Sequence, residues 1–148
     1  MSTTEIINRK ATHLYSFLQT FEAGIVLTGT EIKSIRGGKA NLSDAYCLFE
    51  PDGLYIKNLH ITEYDYGTHN NHDPKRDRKL LLNKVELRKL QRKVSEKGMT
   101  IIPYRIFFND RGFAKIEIAL ATGKKAFDKR ESLKEKDLKR DMERNVKY

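Results

Sequence analysis

The chain has 148 residues, a length typical of one domain. Its apolar runs are far shorter than the ~20 residues of a membrane-spanning helix, and its first residues lack the pattern of a secretory signal, so we expect a soluble cytoplasmic protein without a membrane partner. Lysine and arginine outnumber aspartate and glutamate by 29 to 20, and this net charge of +9 favours a nucleic acid as partner over a charge that serves solubility alone.

The first predicted element is a strand between about residues 6 and 27, because many of its apolar side chains alternate with polar ones. Gly24 within this strand indicates a bulge or the close approach of another backbone. A short helix follows, since Thr28 and Glu31 have the spacing of a capping box. Gly37 is predicted to end this helix.

Two antiparallel hairpins are predicted in the rest of the body. Strands over 45–50 and 54–61 flank a Pro-Asp-Gly turn, and strands over 99–108 and 112–121 flank an Asn-Asp-Arg-Gly turn. The polar stretch 64–74 between the hairpins is predicted to be a loop.

A second helix is predicted over residues 83–97. Asn83 is a favourable N-cap, and Gly98 is a favourable stop. Its apolar residues recur at helical spacing and predict a core-facing side: Val85, Leu87, Leu90 and Val94.

These elements predict a mainly β fold, an OB-like antiparallel barrel with two to three flanking helices. Small all-β domains avoid exposed strand edges by closing the sheet, and the local hairpins favour antiparallel pairing. We expect the barrel to occupy residues 1–122 and a basic tail to follow over 123–148.

Most of the excess positive charge lies between residues 75 and 97, where ten basic residues stand against three acidic ones. Four of these cations fall within five residues, in what is predicted to be a loop that leads to the second helix: Lys75, Arg76, Arg78 and Lys79. Clustered cations and a helix N-terminus suit the phosphates of a nucleic acid. The alternative is a solvated loop without a ligand.

The tail is also basic, and 16 of the 26 residues from Gly123 onward are charged. So few apolar residues predict disorder in the isolated protein. Leu138, Met142 and Val146 nevertheless recur every four residues, which predicts a helix that forms only against a surface. Phe127 would either stack on an unpaired base or anchor the tail on the barrel. A tail without any role is the alternative.

Enzymatic and metal-binding functions have little support in the sequence. No glycine-rich phosphate loop or hydrolase motif is present, so we expect neither catalysis nor a cofactor. His69, His72 and Asp73 are only a weak match to a metal site. Cys47 lies among apolar residues and is interpreted as a small buried side chain rather than a nucleophile.

Four stretches, spread over nearly the whole chain, closely resemble the SmpB (small protein B) family, the bacterial partners of transfer-messenger RNA. They are Phe21-Glu22-Ala23-Gly24, the stretch 29–36 with 38–42, the stretch 76–83, and Gly123-Lys124-Lys125 with Asp128-Lys129-Arg130. Each motif alone is modest, but their joint occurrence in family order is specific.

The resemblance implies a protein that binds the tRNA-like domain of transfer-messenger RNA (tmRNA) and enters stalled 70S ribosomes with elongation factor Tu. There it would stand in for the missing anticodon arm near the decoding centre of the small subunit. Its tail would become helical in the empty mRNA channel, and translation would resume on the RNA's own reading frame. A generic RNA-binding or ribosomal protein of OB type is the alternative.

The family's RNA contacts fall on Glu22, Leu81 and Asn83 of this chain. Glu22 can accept hydrogen bonds from bases or riboses, Asn83 can donate and accept them, and Leu81 can pack on a base or a ribose. Further RNA-binding positions are assigned in the same stretches and in the basic segment: Gly24, Lys33, Arg36, Asn41, Lys75, Arg76, Arg78 and Lys79.

The resemblance places the tail motif against ribosomal RNA near the decoding site. The residues assigned to this contact are Lys124, Lys125, Phe127, Asp128, Lys129, Arg130, Leu138 and Met142. Phe127 stands where some relatives carry histidine. Stacking on a ribosomal base would survive this difference, whereas a role that needs a protonated or hydrogen-bonding ring would not.

Overall fold

The computed structural model describes residues 4–64 and 71–123. Three predictions therefore involve residues outside the described ones. They concern the tail beyond Gly123, the division into barrel and tail, and His69. The elements in chain order are β1 (Ile6–Ile7), α1 (Arg9–Leu14), β2 (Tyr15–Ile25), α2 (Gly29–Arg36), β3 (Ala40–Asn41), β4 (Tyr46–Glu50), β5 (Gly53–Lys57), β6 (His60–Ile61), β7 (Arg78–Leu81), α3 (Lys84–Lys97), β8 (Thr100–Phe108) and β9 (Ala114–Gly123).

The strands confirm the predicted mainly β, antiparallel class. Strand β8 pairs with both β9 and β4, and the remaining pairings run from β9 through β2, β7 and β5 back to β4. This closed circuit of six antiparallel strands is the connectivity of a small barrel. Strand β1 adds to β8 outside the circuit, and β3 pairs with β6 in a separate two-stranded sheet.

The core lies inside this circuit and is built almost entirely of aliphatic side chains. Alternate residues of β4, β5 and β7 point inward, and α2 and α3 contribute one fully buried aliphatic residue each, Ile35 and Leu90. Cys47 is buried on β4 as predicted, and burial raises the pKa of its thiol. The largest buried aliphatic side chains are Ile35, Leu42, Leu54, Ile56, Leu59, Ile61, Leu80, Leu90, Ile101, Ile106 and Ile116.

The long strand predicted near the N-terminus begins only at Tyr15, because the residues before it form α1. Asn8 starts this helix: its side chain accepts a hydrogen bond from the Ala11 backbone N–H. The same side chain donates to the carbonyls of Leu42 and Pro103, at 3.2 and 3.0 Å. A buried asparagine with three partners thus fixes a helix that the strand-like pattern conceals.

The other two helices begin and end where the sequence predicts. Thr28 and Glu31 form the capping box of α2, and Gly37 follows its last residue. Asn83 caps α3, and Gly98 ends it in the left-handed conformation with φ 66°. The predicted apolar side of α3 is wrong for one residue, because Val85 is 74% exposed.

Both predicted hairpins are present, as β4–β5 and β8–β9. The second strand of the first hairpin is shorter than predicted: it ends at Lys57, and Asn58 turns the chain with φ 58° before β6. The predicted basic loop also ends early, because Arg78 is already the first residue of β7. Within residues 4–64 and 71–123, no helix is long and apolar enough to cross a bilayer.

Candidate nucleic-acid interface

The pairing of β2 with β7 brings two predicted site residues face to face. Gly24 lies opposite Leu81 in the register. A Cβ atom added to Gly24 would lie 3.3 Å from the Cβ atom of Leu81, so any side chain there would press on the leucine. This is the close approach that the glycine predicts, and it leaves Leu81 53% exposed on the outer surface.

Glu22 lies on the same outer face, since it is two residues before Gly24 on β2. Its cross-strand neighbour on β9 is Glu117. Arg105 donates from Nε to Glu117 at 2.7 Å and from Nη1 to Glu5, also at 2.7 Å. Glu117 is thereby paired with Arg105. The exposed carboxylate of Glu22 has no hydrogen bond or ion pair with any residue that the structure describes, so it is available to a ligand.

Asn83 has a structural duty in addition to its predicted one. Its side-chain oxygen accepts a hydrogen bond from the Glu86 backbone N–H at 2.8 Å and so caps α3. The side-chain amide NH₂ group remains to donate to a ligand. Asn83 is exposed and follows Leu81 by two residues, so the cap lies beside the exposed leucine.

Two of the predicted phosphate-binding arginines are held instead by a buried carboxylate. Glu31 accepts hydrogen bonds from Arg76 Nη2 at 2.7 Å and from Arg78 Nε at 2.6 Å. Burial alone would raise the pKa of Glu31, but hydrogen bonds from Arg76, from the Thr28 backbone and from Arg78 outweigh this effect and lower it to about 2. Glu31 is therefore an anion over the whole physiological pH range.

Arg78 corrects the sequence prediction most clearly. Its side chain is fully buried, and it also donates to the backbone carbonyls of Leu59, Asp73 and Pro74. It has no surface to offer a phosphate. Burial lowers the pKa of Arg78 from its usual value, and the bonds to Glu31 oppose that effect. The guanidinium is an internal link between segments.

Arg76, Lys75 and Lys79 differ in how free they are. Arg76 is partly exposed, but it is held by Glu31 and by the carbonyl of Val26 at 3.2 Å. Lys79 lies 3.8 Å from Asp52 at the surface. Lys75 is exposed, and its ammonium has no ion pair among residues 4–64 and 71–123. Of the four predicted cations, Lys75 is thus the one best placed to meet a phosphate.

The predicted site residues on α2 and β3 lie apart from the surface formed by Glu22 and Leu81, and their partners are other residues. Lys33 Nζ lies 5.3 Å from the centre of the Tyr64 ring. Arg36 stacks 4.1 Å above the Phe108 ring and donates to the Gly112 carbonyl at 2.9 Å. The Asn41 side chain accepts a hydrogen bond from the Ser43 backbone. All three are exposed, with Arg36 fastened to the β8–β9 turn.

His72 is a buried structural residue in this fold. Its Nε2 donates to the Ile61 carbonyl at 2.9 Å, because a carbonyl can only accept. Its Nδ1 lies 2.8 Å from the Thr30 hydroxyl. Both ring nitrogens are thus occupied. In the part of the chain that the structure describes, no group of three or more metal-ligating side chains is found; the predicted partner His69 lies outside it.

Glu31 is the residue whose role the sequence does not disclose. The capping-box spacing explains it fully as a helix-capping residue, and its ion pairs join positions 45 and 47 residues apart. Only the pairing of β7 with β2 brings the arginines within reach of it. The sequence offers no local signal for that contact.

A closed antiparallel sheet that presents an exposed carboxylate, an exposed leucine, an exposed amide and an excess of surface cations is typical of a nucleic-acid-binding β domain. The chain matches the family described as SmpB protein over residues 5–148. It is 58% identical over 142 residues to the SsrA-binding protein of Phocaeicola vulgatus, covering 96% of this chain and 95% of that one. The chain belongs to the SmpB family.

Two further comparisons agree with this assignment. The SsrA-binding protein of Cytophaga hutchinsonii is 58% identical over 150 residues, which cover 97% of this chain and 98% of the relative. A solved structure described as "tmRNA-SmpB: a journey to the center of the bacterial ribosome" is similar with a TM-score of 0.71 and 48% identity, covering 88% of this chain and 94% of that chain.

Proposed function

We propose that this chain binds tmRNA through its tRNA-like domain and acts in trans-translation, the rescue of stalled ribosomes. The observation that carries the proposal is the β2–β7 register, which places Glu22, Gly24 and Leu81 on one outer face beside the cap of α3. The family resemblance assigns RNA contacts to Glu22, Leu81 and the cap residue Asn83, and the fold exposes all three side chains.

The chemistry of this surface suits a folded RNA. The carboxylate of Glu22 can accept hydrogen bonds from base amino groups or from a 2′-hydroxyl, which distinguishes RNA from DNA. The Asn83 amide donates where its oxygen is committed to the helix. Leu81 offers an apolar contact to a ribose or base, and Lys75 offers a charge to the backbone. Phosphate contacts provide affinity and the polar pair provides selectivity.

The proposed role is that of an adaptor without a chemical step of its own. Delivered with elongation factor Tu, it would stand in for the anticodon arm in a cytoplasmic 70S ribosome. The tail would probe the empty mRNA channel from the decoding centre onward, with Phe127 stacking on ribosomal RNA. The residues assigned to this contact are those of the tail motif and of its apolar repeat: Lys124, Lys125, Phe127, Asp128, Lys129, Arg130, Leu138 and Met142.

The first test measures RNA selectivity. The full chain should bind the tRNA-like domain more tightly than random RNA of equal length at every salt concentration. Leu81→Ala should weaken this selective binding, whereas Leu48→Ala, which truncates a comparably exposed leucine on β4, should not. Equal affinity for both RNAs would overturn the proposal and favour a generic RNA-binding protein.

The second test separates the barrel from the tail. Deletion of residues 126–148 should leave binding to the tRNA-like domain unchanged and abolish peptide tagging on stalled ribosomes. Loss of both activities would show that the tail is part of the tmRNA site. Stoichiometric fractionation of the full chain with all ribosomes would favour a ribosomal protein instead.

A further inference from the structure

The outer side of α3 is a strongly charged surface that the contacts assigned above leave unused. A shallow groove of about 420 Å³ runs along it, lined by Val85 and four cations: Arg88, Lys89, Arg92 and Lys93. We call these four residues the basic face of α3.

Several other cations of the body are paired with acidic side chains. Lys57, Arg76 and Arg105 each form ion pairs shorter than 3 Å. No residue of the basic face forms an ion pair with any residue in 4–64 or 71–123; Lys89 alone has a defined contact, 5.9 Å from the Phe21 ring. Cations three or four residues apart on a helix repel each other, and a bound anion relieves that repulsion.

Position links the basic face to the proposed tmRNA site. Asn83, one of the predicted RNA contacts, caps α3 and directly precedes the helix. Lys89 lies 5.9 Å from the ring of Phe21, a core residue of β2. The helix has 14 residues and therefore extends the site by roughly 20 Å. The groove is lined by a single apolar residue, Val85, whereas a protein partner requires a largely apolar interface core. A row of charges with so little apolar surface suits a phosphate backbone.

We infer that the basic face of α3 binds the phosphate backbone of tmRNA next to the contacts of Glu22, Leu81 and Asn83. This inference rests on the proposed function and adds a second surface to it. The contact is electrostatic and independent of sequence, so it supplies affinity and salt dependence rather than selectivity. This contact positions the RNA, and the surface that carries Glu22 and Leu81 distinguishes tmRNA from other RNAs.

The test is the salt dependence of tmRNA binding by the full chain. Each phosphate contact contributes about 0.9 to the slope of the logarithm of the binding constant against the logarithm of the salt concentration. The triple variant Arg88→Gln/Arg92→Gln/Lys93→Gln should reduce the steepness of this slope by about 2 to 3. Its affinity at low salt should fall about tenfold or more. Glutamine keeps a high helix propensity, so the fold should persist, as circular dichroism would verify.

Two further variants act as controls. Arg9→Gln/Lys10→Gln/Arg111→Gln removes the same charge from α1 and the β8–β9 turn and should change the slope much less. The double variant Arg88→Lys/Arg92→Lys keeps the charge and should retain the wild-type slope. An α3 variant whose slope equals that of the matched control would overturn the inference.

The inference and the proposed function fail in different ways. Selectivity for the tRNA-like domain over random RNA tests the proposed function, whereas the slope, measured on both RNAs, tests the basic face. Normal tmRNA binding by the triple variant, combined with weaker binding of the preformed complex to ribosomes, would assign the face to ribosomal RNA and overturn the inference. Normal RNA binding with loss of a protein partner would overturn it equally.

Discussion

At the scale of single residues, Glu31 joins a helix cap to two arginines of a distant segment. It completes the capping box of α2 and binds both Arg76 and Arg78. A buried carboxylate is tolerated because three donors compensate for its loss of water. Removing it would leave the guanidinium of Arg78 buried without a counter-charge, which is among the most costly changes in a protein interior.

We predict that Glu31→Gln lowers the free energy of unfolding by about 3 kcal/mol at neutral pH. The pKa of Glu31 is about 2 in the fold, against an ordinary value of 4.5. Its contribution is therefore complete above pH 4.5 and is lost as the pH falls towards 2. Urea unfolding between pH 2 and 7 measures this, and the variant should have a flatter pH profile. Glu96→Gln, an exposed acid, is the control, and an unchanged profile in Glu31→Gln would contradict the assignment.

A second residue-scale prediction concerns Gly24. Gly24→Ala should displace Leu81, because the new Cβ atom would lie 3.3 Å from that of the leucine. We expect tmRNA affinity to fall several-fold with a loss of unfolding free energy below about 1.5 kcal/mol, measured by titration and denaturation. Gly29→Ala is the matched control, since nothing lies within 4 Å of its added Cβ atom. Equal RNA binding by both variants would show that the Leu81 position is unimportant.

The sequence predicts the role of Gly24 more completely than that of Glu31. It predicts the close approach at Gly24, because a glycine inside a strand usually marks a bulge or a neighbouring backbone at short distance. It identifies Glu31 as a cap but assigns Arg76 and Arg78 to phosphates. Charge clustering cannot tell a surface cation from one that the fold turns inward, and Arg78 is turned inward because it starts a strand of the closed sheet.

At the scale of elements, α3 combines a structural cap and a proposed ligand contact in one residue. Asn83→Asp should keep the cap, and the added charge suits a helix N-terminus. It should therefore preserve stability and yet weaken tmRNA binding, because the amide donor is lost and a carboxylate faces phosphates. Asn83→Ala should lose both, with about 1 kcal/mol less stability. Thermal unfolding and RNA titration of the two variants separate these roles; equal RNA binding by Asn83→Asp and the wild type would contradict the contact.

The predicted elements fail where they are short. Helices α2 and α3 carry explicit caps and stops, and the hairpins carry turn residues, so the sequence identifies all four. Helix α1 has only six residues, and the side-chain bonds of Asn8 that fix it come from Leu42 and Pro103, far along the chain. Val85 matches the apolar spacing of α3, but the helix packs on the core only through Leu87, Leu90 and Val94 among these four residues.

At the scale of the whole molecule, the closed sheet makes Cys47 a reporter of global unfolding. It is the single cysteine of the chain and is buried on β4, and burial raises the pKa of its thiol. We predict that thiol reagents modify it only through unfolding, so that the labelling rate rises with urea in parallel with the unfolded fraction. Rapid labelling in the absence of denaturant would show that β4 opens locally.

The sequence predicts a closed barrel only as a general type of fold and does not identify which strands pair to close it. Hairpins β4–β5 and β8–β9 join neighbouring segments, so the turn residues between their strands predict them. The pairings that complete the circuit join segments far apart in the chain: β2 to β9, β2 to β7, β5 to β7, and β4 to β8 through the single pair Cys47 and Ile101. No short-range pattern specifies such partners.

The ion pairs of Glu31 with Arg76 and Arg78 affect how the fold opens locally. Arg78 binds Glu31 in the first turn of α2 and the carbonyls of Leu59, Asp73 and Pro74. If one of these segments opened alone, a buried charge would lose its partners. They should behave as one cooperative opening unit, with matched amide hydrogen-exchange rates in α2 and in the approach to β7. A partner that grips either segment would then slow exchange in both.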